Sequence, residues 1–579
     1  MSENLCCIFT RFHLNLHYVH TFLKSFQSNR GVIFHMKKQT KIAFAGLSSM
    51  ALLAVAACGQ SNESDGNSSS SKEKKQEVTL ISTTDVPQLD PTKTTDSTSI
   101  IVTNNVFEGL YRLDGDNKPT AGIAESVEVS DDKKTYTFKL RKDAKWSDGS
   151  AVTADDFIYS WKRALDPKTG AEYAYILQDL KNANKILAGE AELDSLGVKK
   201  VDDQTLEVQL EAPAPYFLGL TSFPTYLPLK QSFVEEKGDK FATNVDSMLF
   251  NGPFILDKWQ SNSGWTYKKN PDYWDKANVK MEKIDVKVVK EISTGVNLFE
   301  SKDVDFAPIT SEFVSQYEKS DNYKTRPDAR INFLRFNQKN KALKNENIRK
   351  ALALGFEKQG ITDVILNDGS KPANFIVAKD FTFTPDGEDF RAKYPDLQSF
   401  DATEAKKAWD SGLKELGVKT VELDMLSRDE DAFKKVSEFL KGDLEKNLPG
   451  LTVNIKQQPF KNFLDLESKG DYDISAAGWG PDYQDPMTFL DMCLTGGSFN
   501  RMEYSNKEFD KMIKEAKAEP DEAKRWSTLQ EAEKMLLAED YAIAPIYQKG
   551  EAYLQRANID KLYRHPFGAD MSFKWMEVK

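Results

Sequence analysis

The sequence predicts an α/β protein built around a mainly parallel β-sheet. Apolar and polar residues alternate over 421–425 and again over 451–455, and a charged stretch with helical spacing lies between them, to about residue 445. A short helix around 460–466 then leads to a third strand pattern at 471–479. Strands separated by helices in this way are typical of βαβ units, whose strands run parallel.

The elements before this region follow from the same kind of pattern. Residues 77–83 are rich in β-branched side chains and predict a strand. Residues 124–141 predict a hairpin with one apolar face, because apolar and polar residues alternate on both sides of Asp131-Asp132-Lys133. Thr153 and Asp156 match a capping box, which predicts that a helix begins just after Thr153.

The C-terminal part of the chain predicts three more elements. Two stretches with helical spacing cover about 506–517 and 521–538, and the apolar stretch 542–547 predicts a strand or an extended segment. The body after residue 76 has about 500 residues, which is enough for two or three domains.

The first 76 residues carry processing signals. Residues 36–57 hold a charged start, an apolar run over 42–55 and small residues before Cys58, the pattern of a signal peptide. Residues 58–76 are rich in Ser, Asn, Glu and Lys and predict a disordered tether. Residues 1–35 hold four of the five histidines, and we expect them to be a mis-annotated leader. A genuine cytosolic extension is the alternative.

Cys58 stands at the expected cleavage point, an arrangement that resembles the bacterial lipobox. The resemblance implies cleavage before Cys58 and acylation of its thiol. A lipid would then anchor the body to the outer face of the cell membrane, in an organism that we expect to be Gram-positive. The alternative is a chance cysteine in an ordinary signal peptide. The apolar run itself is too short to remain as a membrane span.

The composition excludes several classes of function. The formal net charge of −11 argues against nucleic acid as a partner. After the signal, His565 is the one histidine and Cys493 the one cysteine besides Cys58, too few for a zinc site of His and Cys. No Gly-x-Ser-x-Gly motif accompanies His565. We therefore expect no enzyme activity, no metal and no cofactor, and we expect Cys493 to be a buried, inert thiol.

A candidate binding site follows the strand that ends at Trp479. Ligands of open α/β sheets bind beyond the C-terminal ends of the strands. Gly478 and Gly480 let another backbone approach, Trp479 offers a flat apolar wall, and Asp482 offers a fixed negative charge. These features suit an extended peptide that adds as a strand and pairs its α-ammonium with a carboxylate. Simple strand-end packing, with Asp482 in a turn, is the alternative.

The order of short motifs along residues 77–579 resembles the OppA-type oligopeptide-binding proteins of bacterial ABC importers, the family 5 extracellular solute-binding proteins. Each motif alone is weak, and the ordered set is specific. The motifs are Leu89-Asp90-Pro91, Val106-Phe107-Glu108-Gly109-Leu110, Lys145-Trp146-Ser147-Asp148-Gly149, Asp156-Phe157 with Tyr159-Ser160-Trp161, Asn251-Gly252-Pro253-Phe254, Asn270-Pro271-Asp272-Tyr273-Trp274, Phe336-Asn337 and Gly478-Trp479-Gly480-Pro481-Asp482-Tyr483.

The resemblance implies a periplasmic-binding-protein-like fold of type II, with two hinged lobes plus an additional domain. Lobe I would comprise 77–107 with 232–330 and 550–579, lobe II would be the additional domain 108–231, and lobe III would be 331–549. The implied function is to capture oligopeptides in the cleft and deliver them to an ABC permease and its ATPases. We expect a monomer.

The resemblance also implies the site residues. Asp482 takes the amino terminus of the peptide, the backbone of 478–480 pairs with the peptide as a strand, and Trp479 lines a side-chain pocket. The loop 95–97 matches a segment that pairs with the other edge of the peptide. The tyrosines match an aromatic region of the cleft, with lobe core as the alternative. The expected peptide-binding residues are Thr95, Ser97, Tyr173, Tyr175, Gly478, Trp479, Gly480, Asp482 and Tyr483.

Two positions depart from the pattern of some relatives. Phe433 and Ala476 stand where those relatives have basic residues that meet the carboxylate of short peptides. We therefore expect weak capture of the peptide C-terminus and tolerance of longer peptides. A dedicated receptor for one signalling peptide, such as a pheromone, is an alternative with the same fold. Nickel, haem or sugar ligands are further alternatives.

Overall fold

The computed structural model describes residues 75–579, apart from residues 215, 385 and 386 and the side chain of Glu312. The expected leader, signal peptide and acylated Cys58, and all of the tether except its last two residues, lie outside the described residues. The structure therefore leaves those predictions untested.

The described chain contains both helices and strands along its length. The strands are β1 (Glu77–Ser82), β2 (Tyr111–Leu113), β3 (Pro119–Ala121), β4 (Ala124–Val129), β5 (Thr135–Leu140), β6 (Val198–Asp202), β7 (Thr205–Gln209), β8 (Phe254–Gln260), β9 (Gly264–Lys269), β10 (Lys283–Val288), β11 (Phe306–Ile309), β12 (Tyr323–Phe336), β13 (Lys371–Pro372), β14 (Val421–Arg428), β15 (Leu451–Gln458), β16 (Ile474–Trp479), β17 (Ile543–Gln555), β18 (Ile559–Asp560), β19 (Tyr563–Arg564), β20 (Met571–Ser572) and β21 (Glu577–Val578).

The α-helices are α1 (Ser97–Val106), α2 (Ala154–Leu165), α3 (Ala183–Leu187), α4 (Phe217–Leu220), α5 (Gln231–Lys237), α6 (Ile292–Glu300), α7 (Glu312–Tyr317), α8 (Glu346–Leu354), α9 (Ala402–Leu416), α10 (Asp431–Asn447), α11 (Phe460–Lys469), α12 (Met487–Leu490), α13 (Lys507–Ala518) and α14 (Glu522–Lys534). All the helices and strands that the sequence predicts are present, with ends that differ by a few residues.

The principal sheet has the strand order β15-β14-β16-β12-β17-β11-β1-β10-β9-β8, and β13 pairs with β17. The βαβ units of the C-terminal half are confirmed, since β14 runs parallel to both β15 and β16. The prediction of a mainly parallel sheet is wrong for the sheet as a whole. β12 lies between β16 and β17 in the sheet and pairs antiparallel with both of them. Alternation along a strand does not reveal the direction of its neighbours.

Two long strands connect the two ends of this sheet. β12 has 14 residues and β17 has 13, and they pair antiparallel from Tyr323 opposite Leu554 to Arg335 opposite Ile543. The register shifts between Pro327 and Ile331, where the ladder is irregular. The expected lobe boundaries at 330/331 and 549/550 fall inside these two strands.

A smaller antiparallel sheet has the order β4-β5-β7-β6. It contains the predicted hairpin, and Tyr136, Phe138 and Leu140 of β5 are buried. The apolar face extends only partly onto β4, where Val129 is 45% exposed, because β4 is an edge strand with one neighbour.

Helix α2 begins at the predicted capping box beside this sheet. The Thr153 N–H donates to Asp156 Oδ2 at 2.8 Å, which satisfies one of the unpaired donors at the helix start. Phe157 and Trp161 then lie on one helical face and are fully buried. The local signal in the sequence and the packing agree at this helix.

The C-terminal half has its own hydrophobic core, in which helices α8, α9 and α10 pack on β14–β16 around Trp409. Helix α9 ends at Gly417, which adopts φ = 68°, a left-handed conformation that favours glycine. Its N–H donates back to the last helical carbonyls. Within the part of the chain that the structure describes, no helix is both long and apolar enough to cross a membrane.

Candidate functional site

A cavity of about 360 Å³ lies where several segments distant in the sequence meet. It is lined by the start of α1, the middle of β12 and β17, the end of β14, the residues after β16, and the segment 564–573. A volume of this size is in the range of ligand sites that hold small molecules or short peptide segments. This cavity is the candidate binding site.

The edge of β16 facing this cavity lacks a strand partner over part of its length. On one side β16 pairs with β12 from Ile474 to Trp479. On the other side β14 pairs only with Ile474 and Ser475. Among the described residues, no strand pairs with that side of 476–479, and Gly478 and Trp479 line the cavity. An unpaired edge of this kind is a template for one more strand.

The two glycines beside this edge make room for side chains of the neighbouring strand β12. A Cβ added at Gly478 would lie 2.8 Å from Asn332 Oδ1, and one at Gly480 would lie 3.0 Å from Arg330 Nη2. Both distances are too short for a side chain without movement of the β12 residues. The glycines therefore make room for polar side chains of the neighbouring strand, in addition to leaving the β16 edge open.

Asp482 follows β16 and is 6% exposed. Tyr173 donates its hydroxyl to Oδ1 at 2.8 Å, and Tyr175 makes a longer contact to Oδ2 at 3.4 Å. Burial raises the pKa of Asp482 well above its usual value, and nearby Asp491 adds to the rise, whereas the Tyr173 hydrogen bond opposes it. The predicted negative charge of Asp482 is therefore held in a buried position, where ionisation costs more than in water. Burial makes the charge costly until a cation approaches.

The cavity wall beside Asp482 is aromatic. Tyr173 lies in the 3₁₀ turn Glu172–Leu177, and its ring centroid is 4.7 Å from that of Phe499 and 6.4 Å from that of Trp479. The Trp479 indole N–H donates to the Thr488 carbonyl at 2.7 Å, which fixes the ring. Tyr173, Trp479 and Phe499 all line the cavity.

Thr95 and Ser97 also line the cavity, on either side of Asp96. Asp96 caps helix α1 by accepting the Ser99 N–H at 2.9 Å, and its Oδ2 has no hydrogen-bond partner. Burial raises the pKa of Asp96 to about 6. The predicted loop therefore contributes to the site, and it brings a carboxyl group that the prediction did not include.

Two predicted residues lie behind the wall rather than in it. Tyr175 stacks on Tyr173 with ring centroids 5.8 Å apart, and Tyr483 stacks on Tyr216 at 4.8 Å. Neither Tyr175 nor Tyr483 lines the cavity. The other predicted residues meet around one space: Thr95, Ser97, Tyr173, Gly478, Trp479, Gly480 and Asp482.

The charged residues of β12 and β17 line the cavity too, and the sequence analysis missed them. Lys549 pairs with Glu551 at 2.7 Å and lies 3.7 Å from Asp328. Arg330 pairs with Asp570 at 3.2 Å. A signal was present, because charged residues occupy every second position over 324–330 of β12 and positions 549 and 551 of β17. That spacing puts them on one face of a strand.

A second buried cluster lies under the aromatic wall. Arg335 and Arg501 both pair with Glu467, at 3.0 and 3.2 Å, and Arg501 also pairs with Glu172 at 2.5 Å. The two arginines are at least nine-tenths buried. Each guanidinium is therefore matched by a carboxylate, as a buried charge requires.

The residues considered for catalysis or metal binding, His565 and Cys493, do not line the cavity. Cys493 is 1% exposed, so the prediction of a buried thiol is confirmed, and burial raises the pKa of that thiol to about 12. Burial lowers the pKa of His565 to about 4, and its Nδ1 lies 2.8 Å from Asn117 Oδ1. Within residues 75–579 as described, no group of three or more His, Cys, Asp or Glu side chains is placed to hold a metal ion.

Comparisons with known proteins match nearly the whole described chain. A dipeptide-binding protein of Lactococcus lactis subsp. cremoris is 36% identical over 562 residues, which cover 94% of this chain and 100% of that protein. The substrate-binding domain of an oligopeptide ABC transporter from Bacillus anthracis superposes with a TM-score of 0.86 at 46% identity, over 87% of this chain and 99% of the other. Peptide-bound OppA of Listeria monocytogenes gives 0.85 at 45% identity, with the same coverage.

The family model for bacterial extracellular solute-binding proteins, family 5 (middle), matches residues 118–501. This match and the structural neighbours confirm the resemblance and the predicted periplasmic-binding-protein-like fold. The chain belongs to the family 5 bacterial extracellular solute-binding proteins.

Proposed function

We propose that this protein captures oligopeptides in the cavity and delivers them to the permease of an ABC importer. The observation that carries the proposal is the unpaired edge of β16 over 476–479, which faces the cavity and ends close to a buried carboxyl group, Asp482. The family and the peptide ligands named for its relatives agree with it.

In this proposal the peptide adds as a strand along 476–480. Main-chain hydrogen bonds supply the affinity, and every peptide can form them, so many sequences are accepted. The peptide α-ammonium pairs with Asp482, and its approach returns the buried carboxyl to its ionised form. Tyr173, at 2.8 Å, orients the carboxylate. Trp479 and Phe499 bound a pocket for a side chain.

The proposal includes the three lobes, with β12 and β17 as the strands shared between lobes I and III. Contacts between lobe II (108–231) and lobe III (331–549) close the cavity. These contacts include Glu172 to Arg501 at 2.5 Å, the Ser498 hydroxyl to the Glu172 carbonyl at 2.7 Å, and Tyr173 to Asp482 at 2.8 Å. Ligand entry requires these contacts to open, while the paired strands bend.

The proposal also assigns a place in the cell. We propose that the chain is exported, cleaved before Cys58 and anchored through a lipid at the outer face of the cell membrane. The tether at 58–76 then holds a monomeric body close to the permease and its ATPases, which raises its effective concentration there. The protein itself acts by binding and performs no catalysis.

The test is to identify what the protein carries. Protein purified without added ligand is denatured, and the released small molecules are analysed by mass spectrometry. A mixture of peptides supports the proposal, and a single peptide sequence supports the narrower role of a signalling-peptide receptor. Release of only nickel, haem or sugar, together with no binding of defined peptides by calorimetry, contradicts both roles.

A further inference from the structure

Arg428 has unused hydrogen-bonding capacity. Arg428 ends β14 and lines the cavity. A guanidinium has five N–H donors, but among the described residues Arg428 makes a single long hydrogen bond, from Nη1 to Glu430 Oε2 at 3.5 Å, and its buried Nε has no partner there. Arg335 and Arg501 have closer carboxylate partners, since both pair with Glu467, at 3.0 and 3.2 Å, although Arg501 Nε also lacks a partner among the described residues.

The position of this guanidinium is fixed by aromatic rings. Its central carbon lies 3.9 Å from the ring centroid of Phe433, 4.7 Å from that of Phe460 and 5.7 Å from that of Phe463. Stacking satisfies the face of the guanidinium and leaves the N–H groups along its edge for a planar acceptor. Some relatives carry a basic residue at the position of Phe433. In this chain the Phe433 ring instead stacks against Arg428, a basic residue at the end of β14.

The acidic groups beside Arg428 do not occupy all of its N–H donors. Asp431 pairs with Lys435 at 3.0 Å, and Asp429 pairs with Lys290 at 2.7 Å. Glu430 is the acidic group in contact with Arg428, and the contact is long, at 3.5 Å; burial raises the pKa of Glu430 and the Arg428 charge opposes the rise. The first residues of the 17-residue helix α10, 431–433, also line the cavity, and no side chain caps this helix start. The helix dipole there favours an anion.

We propose that Arg428 anchors a carboxylate subsite for the peptide ligand, stacked on Phe433 at the end of β14. This inference rests on the proposed function. The carboxylate is either the C-terminus of a short peptide or an Asp or Glu side chain of a longer one. It replaces the expectation of weak C-terminal capture.

The sheet register places this subsite along the path of the peptide. The last β14–β16 pair is Leu426 opposite Ser475, and Arg428 lies two residues further on, where the β16 edge becomes unpaired. A peptide whose amino terminus is at Asp482 and which runs antiparallel to β16 reaches this level after about five residues, at roughly 3.3 Å per residue. The fifth residue is therefore the one whose carboxylate meets Arg428.

The experiment measures carboxylate preference by calorimetry with defined peptides. Pentaalanine is compared with its C-terminal amide, and an amidated heptapeptide with Glu at position five is compared with its Gln counterpart. Each preference is the ratio of the two Kd values. The proteins are the natural chain, Arg428→Gln, Arg428→Lys and the control Arg556→Gln. Arg556 stacks on Phe299 at 3.8 Å and does not line the cavity.

We expect the natural protein to prefer the carboxylate about tenfold or more in one of the two pairs, as for a hydrogen bond to a charged group. The first pair identifies the C-terminus as the source and the second identifies an acidic side chain. The preference falls to about one in Arg428→Gln, is intermediate in Arg428→Lys, and is kept in Arg556→Gln.

Two results would overturn the subsite. One is the absence of any preference in the natural protein, which needs no variant, and the other is a preference that survives in Arg428→Gln. If Arg428→Gln does not fold, as judged by thermal unfolding, Arg428→Lys must still show a reduced ratio. If the natural protein binds none of the four peptides, the proposed function fails, and this outcome is distinct from a failure of the subsite alone.

Discussion

Replacement of Asp482 by Asn tests the centre of the proposed site, because the change removes the charge and keeps the shape. Asp482 is 6% exposed, so water and salt screen its charge weakly. A hydrogen bond to a charged group contributes about 1.5–3 kcal/mol. The peptide Kd should therefore rise by about 10- to 150-fold in Asp482→Asn, since about 1.4 kcal/mol corresponds to a factor of ten.

The structure also predicts where in this range the effect lies. Burial raises the pKa of Asp482, so part of the gain from pairing is used to ionise the carboxyl. The effect of the substitution should lie toward the lower end of the range in slightly acidic buffer. It should grow as the pH approaches neutrality.

The assay is a double-mutant cycle by calorimetry. The natural protein and Asp482→Asn are each titrated with one peptide and with its N-acetylated form, which lacks the ammonium. If Asp482 pairs with the ammonium, acetylation should weaken binding strongly in the natural protein and little in the variant. Additive effects of the two changes would refute the pairing.

The control is Asp491→Asn. Asp491 is 4% exposed, burial raises its pKa as well, and it lies 3.6 Å from Lys517 without lining the cavity. Because the Asp491 charge helps to raise the pKa of Asp482, its substitution should leave the effect of acetylation in place and should not weaken peptide binding. A loss of affinity equal to that in Asp482→Asn would show that any buried carboxyl of this region matters, and the argument for a specific ammonium site would fail.

Three further predictions concern pH and stability. Binding of an ammonium requires ionised Asp482, whose pKa is raised by burial, so peptide affinity should rise as pH increases from 5 to 7, below the usual amino-terminal pKa of about 7.7–8.0. Calorimetry that shows a fall over this interval contradicts the assignment. Gly442→Ala should raise the free energy of unfolding by about 0.5–1 kcal/mol in denaturant titrations, because Gly442 lies inside α10 and nothing is within 4 Å of an added Cβ. Glu533→Ala should lower the free energy of unfolding by about 3–5 kcal/mol, because the substitution leaves the buried guanidinium of Arg391 without its counter-charge. A loss below about 1 kcal/mol in the same titrations would contradict this prediction.

Much of the fold was predictable because its signals are local. The capping box at Thr153 and the alternation over 421–425 and 451–455 depend on neighbours within a few residues, and both are confirmed. The antiparallel pairing of β12 with β16 was not predictable, because a pairing partner is chosen by the whole chain. The exposure of Val129 has the same origin, since the edge position of β4 depends on the topology of its sheet.

Part of the candidate site was likewise predictable from the sequence, and part was not. The motif that runs from Gly478 to Tyr483 was visible in the chain, and five of its six residues, 478–482, line the cavity. Arg428 was not identified, although it lies at the end of a predicted strand. Its significance depends on three phenylalanine rings and on a shortage of hydrogen-bond partners. Both are properties of the packed molecule.

The sequence by itself determined the class of fold, the order of the family motifs and the position of Asp482 after β16. Periodicity, capping residues and short motifs depend on residues that are close in the sequence, so these features can be inferred without the tertiary structure. Only the tertiary structure decided the surroundings of the Asp482 carboxyl group. Its hydroxyl donor Tyr173 lies 309 residues away along the chain, and the burial that raises its pKa exists only when the distant segments meet.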